Sequence, residues 1–166
     1  MSNFNRQMNA SRPFDIVCMG RVAVDLYAEQ IHSPLEDAQS FRRYLGGCAG
    51  NIAVGTSRLG LKSAIFSCTG TDAMGKFLRQ QLHHEGVDTT LLRDTSEHLT
   101  ALVLLGVSPP DRFPLIFYRE NCADMQILPD DADPCFLKKC KALLLTGTGL
   151  SSPSMKQATL AAIKTA

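Results

Sequence analysis

The fold of this chain is decided by the stretch Tyr44-Leu45-Gly46-Gly47-Cys48-Ala49-Gly50-Asn51-Ile52-Ala53. Three glycines and two alanines in its last eight positions suit a place where the backbone passes close to another group. The stretch follows the extended-looking Phe41–Leu45 and leads into Ile52–Leu59, in which the two end residues and Thr56 share one helical face. A glycine-lined turn that opens a helix exposes unpaired N–H groups beside the positive end of the helix dipole. The stretch therefore predicts a strand–turn–helix unit that binds anions or hydroxyl groups.

The rest of the chain alternates predicted strands with predicted helices. Continuous apolar runs, typical of buried strands in a parallel sheet, occur at Phe14–Met19, Lys62–Thr69 and Lys141–Thr146. Shorter β-rich runs, typical of half-exposed strands, occur near residues 22–27, 41–45, 100–107 and 114–119. Helices are predicted over Gly75–His84, over Cys135–Cys140 and from Ser152 onward. This order predicts an α/β fold in which a parallel sheet carries a small β-sheet appendage.

The composition argues against several classes of partner. The 166 residues are 45% hydrophobic and 20% charged, and the formal net charge is +1, so no charged surface for nucleic acid is expected. The longest apolar runs, such as Ala101–Val107, fall far short of the roughly 20 residues that cross a membrane. Residues 1–13 are polar and irregular, which predicts a mobile leader without the apolar segment of a signal peptide. We expect neither nucleic acid nor membrane as a partner.

The six cysteines predict a reducing compartment. They stand at Cys18, Cys48, Cys68, Cys122, Cys135 and Cys140. No two are spaced as Cys-x-x-Cys, and no histidine stands at zinc-finger spacing. Cysteine in an apolar strand behaves as a small buried hydrophobic residue. We therefore expect reduced thiols in or near the core and a cytoplasmic protein.

The glycine-rich stretch also carries a family signature. Its positions are occupied by small residues and one amide, at Gly46, Gly47, Ala49, Asn51, Ala53, Gly60 and Gly70. In this pattern the chain resembles the ribokinase (PfkB-type) carbohydrate kinases, and the resemblance covers their N-terminal half. It implies a ribokinase-like, Rossmann-type αβα core, incomplete in this chain, with a small β-sheet lid over the sugar. Lid strands are then expected near residues 21–45 and 98–120.

The resemblance assigns sugar-binding roles to four residues. Asp25 matches the sugar-binding aspartate of the family, whereas strand periodicity alone favours a solvated aspartate. A carboxylate accepts sugar hydroxyls in strong, charge-assisted hydrogen bonds. Gly46 and Gly47 would let the main chain approach the sugar, and the Asn51 amide would bind hydroxyls, cap the helix, or both. The chain departs from ribokinase at Ala23, where asparagine is common, so ribose is not the expected substrate.

A second polar run follows the last of the β-rich segments. Phe117–Asp124 contains Arg119, whose planar guanidinium can grip a carboxylate through two parallel hydrogen bonds; an ordinary surface ion pair is the alternative. The run is similar to one in family members that phosphorylate sugar acids, including 2-keto-3-deoxygluconate kinases. Its Tyr-Arg…Ala-Asp pattern is most similar to the 5-dehydro-2-deoxygluconokinases of myo-inositol catabolism. Arg21 is a further candidate ligand for the carboxylate.

Three other motifs have simpler explanations. Gly70–Phe77 nearly matches a P-loop, but Phe77 stands where Ser or Thr would hold Mg²⁺, and Asp72 is a good helix N-cap. Gly147–Ser152 lacks the third glycine of a dinucleotide fingerprint. His83-His84-Glu85 lacks the histidine spacing of a zinc protease and predicts an exposed helix end. No metal site is predicted in this chain.

The second signature of the family does not occur in the sequence. This Gly-Ala-Gly-Asp-type motif supplies the catalytic base and the anion hole, and the adenine-binding segment lies beyond the matching half as well. The resemblance therefore implies that ATP and Mg²⁺ bind outside this chain, which contains no catalytic base. We expect the 166 residues alone to be inactive, and poorly soluble because one sheet edge is uncovered.

The leading hypothesis is the sugar-binding half of a cytoplasmic kinase. It would transfer the γ-phosphate of ATP to a primary hydroxyl of a small sugar or sugar acid, with 5-dehydro-2-deoxygluconate as the expected substrate. A 2-keto-3-deoxygluconate kinase, a fructokinase or another member of the family is the alternative within this class. A non-catalytic sugar-binding module that dimerises through the β lid is the alternative from another class, and the kinase itself is also a candidate homodimer. An NAD-dependent oxidoreductase is the least favoured.

Overall fold

The structure, a computed structural model, describes residues 12–166. Most of the predicted leader, residues 1–13, lies outside the described residues. The strands are β1 Phe14–Met19, β2 Ala23–Ala28, β3 Phe41–Gly46, β4 Ser63–Gly70, β5 Leu92–Thr95, β6 Leu102–Leu105, β7 Leu115–Tyr118 and β8 Cys140–Leu145. The α-helices are α1 Cys48–Arg58, α2 Ala73–His84, α3 Pro134–Leu137 and α4 Pro153–Thr165. Short 3-10 helices lie over Leu35–Asp37, Ala123–Met125, Pro129–Asp131 and Gly147–Leu150.

The main sheet contains four parallel strands in the order β5-β4-β1-β8. Every residue of β4 is buried, as expected for a parallel sheet that is covered on both faces. One apolar cluster, which includes Phe66 and Met155, packs the sheet against α3 and α4. A second cluster, which includes Ile65 and Leu82, packs it against α1 and α2. The predicted α/β fold with a parallel sheet is therefore confirmed.

A second sheet, called the small sheet below, has the strand order β3-β2-β6-β7. Strand β2 pairs antiparallel with β3 and parallel with β6, and β6 pairs antiparallel with β7. Directly paired residues of neighbouring strands lie on the same face of a sheet. The registers therefore place Tyr44, Asp25, Val103 and Phe117 in one row on one face. This sheet is the β-sheet appendage that the sequence predicts.

Helix α1 begins one turn earlier than predicted, at Cys48. Its buried residues are Ala49, Gly50 and Ala53. Leu59, which the sequence predicted as the last residue of the helix on one face with Ile52 and Thr56, is 83% exposed and lies just beyond the end of the helix. The physical reason is close approach, because small side chains let the helix axis lie against the sheet where a larger residue does not fit.

The other helices lie close to their predicted positions, with one exception. Asp72 caps α2 as predicted, by accepting hydrogen bonds from two N–H groups of the first turn. Gly86 follows the end of α2 with φ of +71°, a left-handed conformation suited to glycine. Helix α3 ends at Leu137 and is shorter than predicted, because Cys140 already belongs to β8 and pairs with β1.

The cysteines are free thiols, as predicted. Four of them are buried: Cys18, Cys68, Cys122 and Cys140. Cys48 and Cys135 are exposed, so the predicted core position is wrong for these two, which lie in the first turns of α1 and α3. Burial raises the pKa of Cys18 and of Cys68 to about 11, which keeps both thiols protonated at neutral pH.

Candidate functional site

Asp25 lies on the open face of β2, beside the end of β3. A Cβ atom at Gly46 would fall 2.2 Å from the carboxyl group of Asp25, so glycine is required for the carboxylate to lie there. Among residues 12–166 the Asp25 carboxylate accepts no hydrogen bond, and the positive charge of Arg21 partly offsets the effect of burial on its pKa. Its oxygens are therefore available to the hydroxyl groups of a ligand. The structure brings the predicted residues Asp25 and Gly46 together.

Gly47 joins the start of α1 to the turn that follows β1. It is the N-cap of α1 and has φ of +88°, and a Cβ atom there would fall 2.5 Å from the carbonyl oxygen of Arg21. The same carbonyl accepts hydrogen bonds from the N–H groups of Ala49 at 3.2 Å and Gly50 at 3.3 Å. The prediction that the helix start presents unpaired N–H groups is wrong for these two amides, because the turn after β1 folds back onto them.

Asn51 lies in α1, in surroundings that do not include Asp25. It is not the helix cap, because Gly47 holds that position. Its exposed side chain lines a cavity of about 430 Å³ between β3, α1 and α2. The guanidinium of Arg43 lies over the ring of Phe77 in the same cavity, 4.4 Å from its centre. Asp25 does not line this cavity, so the structure does not join the two predicted sugar ligands.

Arg119 forms a buried ion pair that the sequence analysis missed. Its Nε donates a hydrogen bond of 2.7 Å to Oδ2 of Asp124, and the Asp124 side chain is only 1% exposed. Arg119 Nη2 and Asp124 Oδ1 are also buried, and neither has a partner in the described chain. The Tyr-Arg…Ala-Asp pattern contains both partners of this ion pair, but the sequence analysis assigned no role to Asp124.

Arg21 lies next to this ion pair. Its guanidinium stands over the ring of Phe117, 5.2 Å from the ring centre, in the geometry of a cation–π contact. Its Nε is buried without a hydrogen-bond partner among the described residues. Because Phe117 shares its row of the small sheet with Asp25, Arg21 connects the surroundings of Asp25 with those of Arg119.

The charges of these four groups influence one another. Burial raises the pKa of Asp25, and the positive charge of Arg21 opposes this rise. Burial and the like charge of Arg119 lower the pKa of Arg21, against the attraction of Asp124 and Asp25. Burial also raises the pKa of Asp124, and the charge and hydrogen bond of Arg119 oppose it. The cluster is a desolvated group of two cations and two anions, in which electrostatic interactions are strong.

The remaining motifs have structural roles. A Cβ atom at Gly75 would fall 1.9 Å from the carbonyl oxygen of Gly70, so the P-loop-like turn is a tight contact between β4 and α2. At the end of α2, the His83 ring forms a hydrogen bond with the Thr89 hydroxyl, and Glu85 forms an ion pair with Arg58. Within residues 12–166 no cluster of histidine, cysteine, aspartate and glutamate is arranged to hold a metal ion. No helix in the same range is long and apolar enough to cross a membrane.

Two curated proteins similar to this chain are named 5-dehydro-2-deoxygluconokinase. Residues 14–166 match the family described as "pfkB family carbohydrate kinase". The chain is 34% identical over 153 residues to the 5-dehydro-2-deoxygluconokinase of Geobacillus kaustophilus, and 32% identical over 161 residues to that of Halalkalibacterium halodurans. These alignments cover 92% and 96% of this chain but 46% and 49% of the two relatives. The chain therefore spans about half the length of the curated relatives it matches.

Solved structures of sugar kinases share the fold. A fructokinase from Halothermothrix orenii is 30% identical, with a TM-score of 0.79 over 92% of this chain and 53% of its own. A PfkB protein from Polaromonas sp. JS666 is 27% identical, with a TM-score of 0.86 over 92% and 51%. A sugar kinase of uncharacterised function from Pyrococcus horikoshii, solved in complex with ATP, is 26% identical, with a TM-score of 0.82 over 90% and 48%.

Proposed function

Because the chain belongs to the pfkB family of carbohydrate kinases, we propose that it is the sugar-binding half of an ATP-dependent kinase that acts on a sugar acid. The family match confirms the resemblance found in the sequence. The observation that carries the proposal is the Asp25 carboxylate, which lies beside Gly46 with no hydrogen bond from the described chain. A carboxylate in this state binds two neighbouring hydroxyls of a sugar and fixes its orientation.

The residues of the site have separate roles in this proposal. Asp25 holds sugar hydroxyls, and Gly46 and Gly47 let the main chain approach the sugar. Asn51 lines a separate cavity and has no contact with the sugar in this proposal. Arg119 binds the acid group of the substrate through the Nη2 atom that its ion pair with Asp124 leaves free. The small sheet acts as the lid, and its open face excludes water from the bound sugar.

ATP and Mg²⁺ are assigned to no residue of this chain. The similarity to an ATP-bound sugar kinase supports ATP as the phosphate donor. The described residues contain neither a P-loop nor a group of metal ligands, so the donor would bind to the other half of the protein. The residues of this chain then bind and orient the acceptor, which supplies the positioning that phosphoryl transfer needs.

The names of the curated relatives favour 5-dehydro-2-deoxygluconate as the substrate. Phosphorylation of its primary hydroxyl would place the protein in inositol catabolism, in the cytoplasm. A second copy of the chain, bound through the small sheet, is the proposed protein partner. A 2-keto-3-deoxygluconate kinase or a fructokinase would differ from this proposal only in the sugar that accepts the phosphate. The similarity to the Halothermothrix orenii fructokinase supports a fructokinase as the alternative.

Substitution of Gly46 tests the proposal. We expect Gly46→Ala to push the Asp25 carboxylate aside and to weaken binding of gluconate and glucitol by about tenfold or more, because charge-assisted hydrogen bonds are lost. Calorimetric titration of the intact protein measures both ligands. Gly55→Ala, in the same region of the chain, is the control, because a Cβ atom at Gly55 meets nothing within 4 Å.

The outcomes separate the candidate functions. Unchanged binding in Gly46→Ala, or no binding of either ligand to the wild-type protein, would contradict the proposed site. Phosphate transfer from ATP to a sugar acid by the intact protein would establish the kinase. Ligand binding without any transfer would instead favour the non-catalytic sugar-binding module.

A further inference from the structure

We propose that Arg21 and Arg119 bind the substrate carboxylate together, as an arginine pair, and that Asp124 is the positioning residue of Arg119. The inference rests on the proposed function, because it names the part of the same site that selects an acid over a neutral sugar. It adds Arg21 as a second cationic ligand of the carboxylate, and it adds Asp124 as the buried residue that orients Arg119. Two buried guanidinium N–H groups without an acceptor, Arg21 Nε and Arg119 Nη2, carry the argument.

Arg21 has no anionic partner of its own. Among residues 12–166 its side chain forms no ion pair within 4 Å, and its buried Nε donates to no acceptor. A buried guanidinium N–H without an acceptor is costly, since water no longer solvates it. The Phe117 ring beneath the guanidinium attracts the cation but provides no acceptor for its N–H groups. The geometry therefore leaves Arg21 ready for an external anion.

Arg119 is held so that one side of its guanidinium remains free. Its Nε is occupied by Asp124, whereas its Nη2 is buried without a partner. Asp124 is itself buried and contacts Arg119 through one oxygen only. A rigid carboxylate behind a guanidinium fixes its plane, and this lowers the conformational entropy lost when a ligand binds. Asp124 therefore positions Arg119 and does not itself bind the anion.

A carboxylate fits the two free donors better than a neutral group. Burial lowers the pKa of Arg21, and the like charge of Arg119, which repels it, lowers this pKa further. An anion bound to both offsets this repulsion, and each of its two oxygens accepts one N–H. Phe117, over which Arg21 lies, is two strands from Asp25 in one row, about 10 Å away at the usual strand spacing. A six-carbon sugar acid spans that distance between its carboxylate and its distal hydroxyls.

Gluconate and glucitol provide a matched pair of probes. They differ at one end of the same polyol, where gluconate has a carboxylate and glucitol has a hydroxymethyl group. We expect Arg21→Gln to raise the Kd for gluconate by about tenfold to a hundredfold in the intact protein and to change the Kd for glucitol less than twofold. Arg21→Lys, which keeps the charge without the planar fork, should lose less affinity for gluconate.

Arg42→Gln is the matched control. Arg42 lies on β3 of the same small sheet, its side chain is 67% exposed, and its ion pair with Glu29 lies at the surface. Its removal changes the net charge by the same amount as Arg21→Gln. It should leave binding of both probes within twofold, because exposed charges are screened by solvent and salt.

The role of Asp124 is tested by a double-mutant cycle. If Asp124 positions Arg119, then Arg119→Gln should weaken gluconate binding less in the Asp124→Asn background than in the wild type. A merely structural role would lower the thermal stability of Asp124→Asn and leave the effect of Arg119→Gln unchanged. If Asp124→Asn does not fold, the cycle of Arg21→Gln with Arg119→Gln tests the pair through the same coupling.

The results distinguish this inference from the proposed function. The arginine pair is wrong if Arg21→Gln weakens the binding of gluconate and glucitol equally. It is also wrong if Arg21→Gln leaves gluconate binding unchanged, and water is then the acceptor for the Arg21 N–H groups. The proposed function survives that result if Gly46→Ala still weakens glucitol binding. If the wild-type protein binds neither probe, both the function and the arginine pair are wrong.

Discussion

The surroundings of the Asp25 carboxylate fit the proposed role in ligand binding better than a role in folding. The group is desolvated, it accepts no hydrogen bond within the described chain, and Gly46 leaves the space that it occupies. Burial raises its pKa, with only Arg21 acting against the rise. A residue of this kind lowers the stability of the free protein, and its unsatisfied oxygens are then ready for hydroxyl groups.

Asp25→Asn should therefore stabilise the protein while it weakens sugar binding. The folded-state pKa of Asp25 lies above its ordinary value of 3.8, so the ionised group disfavours the folded state at neutral pH. At pH 7 we expect a gain of about 0.5–2 kcal/mol in the free energy of unfolding. The gain should disappear as the pH falls through the raised pKa toward 3.8, because the wild-type carboxyl group is then protonated in both states.

Urea denaturation of both proteins between pH 4 and 7.5 measures this difference. Binding of glucitol to the wild-type protein should weaken over the same acidic range, because a protonated Asp25 accepts hydroxyls less strongly. A variant that is less stable than the wild type at pH 7 would show that Asp25 has a stabilising partner in the folded protein.

Part of the site could be predicted from residue types, and part depended on the tertiary fold. Asp25 and Gly46 stand on predicted strands that are consecutive in the sequence, so their proximity follows once these strands pair antiparallel. The ion pair of Arg119 with Asp124 is different, because Asp124 is buried on the 3-10 helix Ala123–Met125, whose Ala123 packs in the core of the main sheet. Arg21 and Phe117 also meet only in the tertiary fold, and 96 residues separate them in the sequence. Sequence periodicity does not predict such long-range contacts.

At the scale of elements, the turn between β4 and α2 connects the two sheets. Asp72 Oδ1 accepts hydrogen bonds from Met74 and Gly75 as the cap of α2, and its Oδ2 accepts one of 2.8 Å from the N–H of Thr100. The hydroxyl of Thr100 in turn accepts from the N–H of Gly70 at 3.0 Å. Thr100 directly precedes the segment that enters β6, so the P-loop-like turn fixes the small sheet to the main sheet.

Asp72→Ala should detach this connection as well as the helix cap. We expect a loss of about 1–3 kcal/mol in the free energy of unfolding, from the cap and from the unsatisfied N–H of Thr100. Hydrogen exchange should show that the β6 amides of Asp72→Ala exchange faster than those of the wild type, and that β6 is affected more than β1. Asp72→Asn is the informative comparison, because asparagine keeps the cap and loses the acceptor for Thr100. Equal protection of β6 in all three proteins would contradict the link.

The elements themselves were predictable to different degrees. Three strands of the main sheet, β1, β4 and β8, lie in apolar runs of the sequence, and β1 was predicted with its observed bounds. The fourth, β5, is short and mostly polar. The start of helix α1 was predicted one turn too late because the prediction sought large apolar residues at helical spacing, such as Ile52 and Leu59. The buried side of this helix uses Ala49 and Gly50 instead, and small residues give almost no periodic hydrophobic signal.

At the scale of the whole molecule, the small sheet leaves one strand open on both faces. All four residues of β7 are exposed: Leu115, Ile116, Phe117 and Tyr118. This strand is also an edge of the sheet, and it is paired only with β6 among the described residues. An apolar edge strand with free N–H and C=O groups is a template for pairing with another chain. Phe117 faces the proposed substrate, whereas Ile116 lies on the opposite face and is available to a second copy.

Ile116→Lys should reduce self-association without disturbing the site. Ile116 is 44% exposed, and a lysine on an edge strand opposes edge-to-edge pairing through its charge and its hydration. Sedimentation velocity at several concentrations of the intact protein should show a dimer for the wild type and a dissociation constant at least about tenfold weaker for the variant. Leu59→Lys is the control, because Leu59 is an exposed apolar residue at the end of α1, outside both sheets. Two variants with the same self-association as the wild type would place the dimer contact elsewhere, and a wild-type protein that stays monomeric would exclude it.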